Sequence, residues 1–82
     1  MMSVVEITWE QAKRMVSERL RQWIESMPPA ERALKILWNQ MLMSPNEMLV
    51  HVERLDEIGR QIIAAELAKI GEEVGIHYVI KG

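Results

Sequence analysis

The chain has no cysteine and no phenylalanine, only three prolines and four glycines, and a formal charge of −2 from ten basic and twelve acidic residues. Each shortage excludes something. Without cysteine there are no disulfides, thiolate zinc sites or cysteine nucleophiles, and the staples that usually stabilise so short a chain are missing. The 82 residues make one small helical domain, 1–82, and such a domain buries only about 60–65% of the surface its unfolded form exposes. Self-association is the remaining staple. The net charge is too small to capture nucleic acid by electrostatics and too small to mimic it. No stretch approaches the roughly 18 apolar residues of a membrane span, and the N-terminus lacks a basic segment followed by an apolar run. A soluble, cytoplasmic protein without a membrane partner is expected.

What is present is helical periodicity. Thr8 and Gln11 form a capping box, Ile7 can staple onto Ala12, and Trp9, Ala12, Val16, Leu20, Trp23 and Met27 then recur at three- and four-residue steps, predicting a helix over 9–26. Pro28-Pro29 stops it and starts the next. A second helix is expected over 29–43, with Ala33, Leu34, Ile36, Leu37, Trp38, Met41, Leu42 and Met43 spread over most of its circumference. Such a helix wants cover on more than one side. Ser44-Pro45-Asn46-Glu47 is a second helix start, with Ser44 as cap, Pro45 in the first helical position and Glu47 reaching back.

The third helix is expected over 45–70, with a heptad-like seam of Met48, Val52, Leu55, Gly59, Ile62, Glu66 and Ile70. Gly59 costs about 1 kcal/mol against alanine within a helix, so it serves a close crossing or marks a break. Gly71 and Gly75 are candidate stops, and Glu72 and Glu73 would oppose the dipole of a helix that continued to Val74. Ser3–Ile7 and Ile76–Ile80 are β-prone, too short to stand alone, and candidates for pairing with the same segments of a second chain. The fold class expected is mainly α: a three-helix bundle with short extended or β segments at both termini.

Catalytic chemistry has few residues to draw on. Thr8 and Ser44 are occupied as caps, Ser17 and Ser26 have no acid–base partner at local spacing, and no glycine loop or nucleophile elbow is present, so no catalytic residue is assigned and no enzyme is expected. Glu47 and His51, four residues apart, are two ligands and not a metal site; His51 reads as half-buried beside the seam and His77 as exposed on a strand. No cofactor or metal is expected. Glu66 is the candidate for fixing oligomer register, since a carboxylate on the seam is costly to bury without a partner; the plainer alternative is that the seam ends there and Glu66 is wet.

Met41, Met43 and Met48 gather around one corner, where Trp9 and Ile7 could shield them in an ordinary core. Trp38 on the flank cannot turn inward with all of them, so Trp38, Met41, Met43 and Met48 are the expected partner-binding residues. The function expected is a non-catalytic protein–protein interaction module, a small subunit, adaptor or inhibitor, self-associating as a homodimer through apolar helix faces. The alternative is a helix-turn-helix DNA-binding regulator, reading DNA with the helix after the Met43-Ser44 corner. Its first exposed positions, Asn46, Glu47, His51 and Glu53, are poor groove readers, and nucleic acid is not the expected partner.

Overall fold

The computed structural model describes residues 3–82. Strand β1 (Ser3–Ile7) runs into helix α1 (Trp9–Glu25), a 3-10 turn (Pro29–Ala33), strands β2 (Ile36–Trp38) and β3 (Met41–Met43), helices α2 (Pro45–Arg54) and α3 (Glu57–Val74), and strand β4 (Ile76–Ile80). Both capping boxes form. Thr8 Oγ1 accepts from the Gln11 amide at 3.1 Å and Gln11 Oε1 accepts from the Thr8 amide at 2.9 Å. Ser44 and Glu47 repeat the exchange at 3.1 and 3.4 Å, starting α2 with Pro45 in its first turn.

The architecture is nevertheless a mixed α/β fold and not the mainly α three-helix bundle expected. The helix over 29–43 is absent. After the 3-10 turn, Leu34 is extended (φ −73°, ψ 134°), and Ile36–Trp38 pairs antiparallel with Met41–Met43 across Asn39-Gln40. Both turn residues have positive φ, 47° and 65°, the backbone of a two-residue hairpin whose twist matches its strands. In this register Ile36 with Met43 and Trp38 with Met41 share the inner face, while Leu37 and Leu42 share the outer one. A period of two, drawn on a 3.6-residue wheel, scatters apolar residues around the whole circumference. The breadth that suggested a helix needing cover on more than one side was the signature of these strands.

The helix expected over 45–70 is two helices. Leu55 takes a left-handed conformation (φ 53°) and ends α2. Asp56 then caps α3, its Oδ1 accepting from the Gly59 amide at 2.7 Å. The turn folds the helices together so closely that a Cβ on Gly59 would lie 2.0 Å from the His51 carbonyl oxygen. Only glycine fits that crossing. Helix α3 also continues past residue 70 to Val74, where Gly75 (φ 71°) donates its amide to the Gly71 carbonyl. The acidic end is tolerated because Arg19 of α1 engages Glu73 through two hydrogen bonds, at 3.0 and 2.8 Å.

Strands β1 and β4 pair in parallel within one chain, Ser3 opposite Ile76 through Ile7 opposite Ile80. The core joins Ile7, Val16, Leu20, Met43, Val52, Ile62 and Ile63 in one buried cluster, so both small sheets dock on the same helical centre. Among the described residues, no helix is long and apolar enough to cross a membrane.

Candidate partner-binding surface

The hairpin divides the four residues expected to bind a partner. Met43 and Met48 are buried, at 4% and 3% exposure, in the shared core. Trp38 and Met41 are half-buried, packed against it. The methionine corner is thus mostly interior, and Ile7 lies in the same buried cluster as Met43 and Met48. Trp9 packs against that cluster from the edge, with the Arg60 guanidinium 5.3 Å from its ring centroid.

The exposed apolar surface lies one residue away in register. Leu37 and Leu42, cross-strand partners on the outer face, are 73% and 64% exposed, and Leu34, ahead of β2, is 59% exposed. None of the three was a candidate in the helical reading. Around the edge of the hairpin, a groove of about 620 Å³ runs between α1 and the inner face, with Trp23, Ile36, Trp38 and Met48 among its apolar lining and Arg19, Glu66 and Lys69 on its polar side. Two tryptophans in one open groove make a large amphipathic contact area of the kind found at interfaces.

Glu66 is not wet. Its carboxylate is mostly covered and accepts from Arg19 Nε at 3.2 Å and from Lys69 Nζ at 3.4 Å. Arg19 therefore bridges Glu66 to Glu73, clamping α1 onto α3. Its guanidinium holds the Glu73 carboxyl below the usual carboxylate range. The partner of Glu66 is in its own chain, 47 residues away.

The remaining polar candidates are also engaged locally. His51 Nδ1 lies 2.7 Å from Asp56 Oδ2. That hydrogen bond, with the Gly59 amide on the other oxygen, lowers the Asp56 pKa. Glu47 is lowered by the Ser44 amide first, with Lys35 at 3.5 Å adding to it. Glu53 pairs with Arg21 across to α1. His77 is exposed on β4. Glu47 and His51 thus each serve a helix end.

Comparison with protein-family models, with curated proteins and with solved structures finds no match.

Proposed function

We propose that the chain is a non-catalytic protein-interaction module, a homodimeric small subunit, adaptor or inhibitor, that meets another protein through the β2–β3 hairpin. The observation that carries this reading is the outer-face leucine pair, Leu37 with Leu42, exposed on a chain with a small core. Those side chains contribute nothing to the core, and an exposed apolar cluster costs solubility unless something covers it. The adjoining groove supplies a concave neighbour in which Trp23 and Trp38 can take up an apolar anchor, with Arg19 and Lys69 at the rim setting orientation.

The DNA-binding alternative keeps little support. Its first helix is the hairpin, and Glu47, His51 and Glu53 of the supposed reading helix are held by intramolecular partners. The interaction reading is tested with Leu37→Glu combined with Leu42→Glu, which leaves the core untouched. The double variant should fold with an unchanged circular dichroism spectrum and release the protein that the wild-type chain retains in stoichiometric amount. Equal retention by both chains would overturn the hairpin as the contact surface.

A further inference from the structure

The backbone of the parallel sheet has one side unused. Ser3 donates to the Gly75 carbonyl at 3.3 Å, and Lys81 donates to the Ile7 carbonyl at 2.8 Å. With the register of the pair, alternation turns the amides and carbonyls of His77 and Val79 toward β1, and those of Ile76, Tyr78 and Ile80 away from it. Strand β4 is an edge strand. Its Ile76 carbonyl lies against Gly71, where a Cβ would come within 2.3 Å, which leaves Tyr78 and Ile80 as the open part of the edge. On this side α3 and β4 form a groove of about 440 Å³ lined by Ala64, Leu67, Ala68, Tyr78 and Ile80, with Glu72 at its rim and no β1 residue.

We propose that this edge receives β4 of a second copy, antiparallel, so that the two sheets join in the order β1-β4-β4-β1 about a two-fold axis at Val79. The proposal rests on the interaction reading above and names the dimer seam within it. Pairing Tyr78 of one copy with Ile80 of the other lets each exchange both of its outward hydrogen bonds, and the symmetry makes the same pair twice. The incoming Tyr78 and Ile80 side chains fall on the inner face, over the small Ala64 and Ala68 that leave the groove open.

Strand β4 carries no Asp, Glu, Lys, Arg or proline within Ile76–Ile80, the residue types that usually blunt an edge. Strand β1, by contrast, carries Glu6. A two-stranded sheet is marginal by itself, and doubling it gives each β4 two neighbours.

Sedimentation equilibrium of the full chain tests the seam. The wild-type chain should be a dimer at micromolar concentration. Ala68→Glu, at an exposed helical position on the groove floor, should keep the helical spectrum and raise the dissociation constant about tenfold or more. A monomeric wild-type chain or an unaltered Ala68→Glu dimer would each overturn the seam. Leu37→Glu with Leu42→Glu should leave the dimer intact. A dimer lost in that variant and kept in Ala68→Glu would overturn the β4 seam while preserving the hairpin as an interaction surface.

Discussion

The protein contains two two-stranded sheets, and they are built by opposite means. Strands β2 and β3 are joined by two residues, and their register is set by the Asn39-Gln40 turn. Strands β1 and β4 come from the two ends of the described chain and meet only because three helices and a hairpin have folded between them. One sheet is local and the other is a consequence of the whole fold. The hairpin owes its exposed face to alternation, which sends Met43 inward and Leu42 outward. The parallel pair owes its position to a glycine that lets a carbonyl lie on α3.

Closing that space should have one of the two largest effects. Gly71→Ala puts a Cβ 2.3 Å from the Ile76 carbonyl oxygen, a backbone atom that cannot swing aside, and should cost about 2–3 kcal/mol in chemical denaturation. The hairpin should separate its faces almost as sharply. Met43→Ala removes a core side chain and should cost about 2–4 kcal/mol, whereas Leu42→Ala should change stability by less than about 0.5 kcal/mol. Equal losses at the two positions would contradict the inward and outward assignment.

Smaller effects refine the contrast. Gln40 stands at φ 65°, which a side chain dislikes and glycine accepts, so Gln40→Gly should stabilise the hairpin by about 0.5–1 kcal/mol in thermal unfolding. Acid should act on the helical frame more than on the hairpin. Asp56, Glu47 and Glu73 all have folded-state values below their ordinary 3.8, 4.5 and 4.5. Their contribution is therefore complete above those ordinary values and is lost as pH falls through the lowered ones. Urea midpoints should be flat above about pH 5 and decline below it. Arg19→Met should reduce that decline by releasing Glu73 from its partner.

What could be read from the sequence follows the same division. The capping boxes at Thr8 and Ser44 were legible because all their parts lie within four residues. The hairpin was legible in principle, since Ile36, Trp38, Met41 and Met43 alternate around an asparagine, but Pro29 and the helix formers around Ala33 favoured the longer period. The break in the third helix had a signal too, because Asp56 stands three residues before Gly59 and can cap; the unbroken seam of Met48, Val52, Leu55 and Gly59 outweighed it. Glu66 could be identified as unusual and not explained, as its partner Arg19 is remote in sequence. The most exposed apolar residues of the hairpin, Leu37 and Leu42, stand one position along from Trp38, Met41 and Met43 for the same reason that the hairpin was missed. In a strand, one step along the chain exchanges core for surface.

The central claim is that the chain has two distinct contact regions, the hairpin face for another protein and the β4 edge for its own copy. Hydrogen exchange of individual backbone amides across a dilution series tests the second region most directly. The Val5 and Ile7 amides, bonded within the chain by the parallel register, should be protected at every concentration. The Tyr78 and Ile80 amides should be protected at high concentration and exchange rapidly once the dimer dissociates. Fast exchange of both at every concentration, with a dimer still present by mass, would contradict the account.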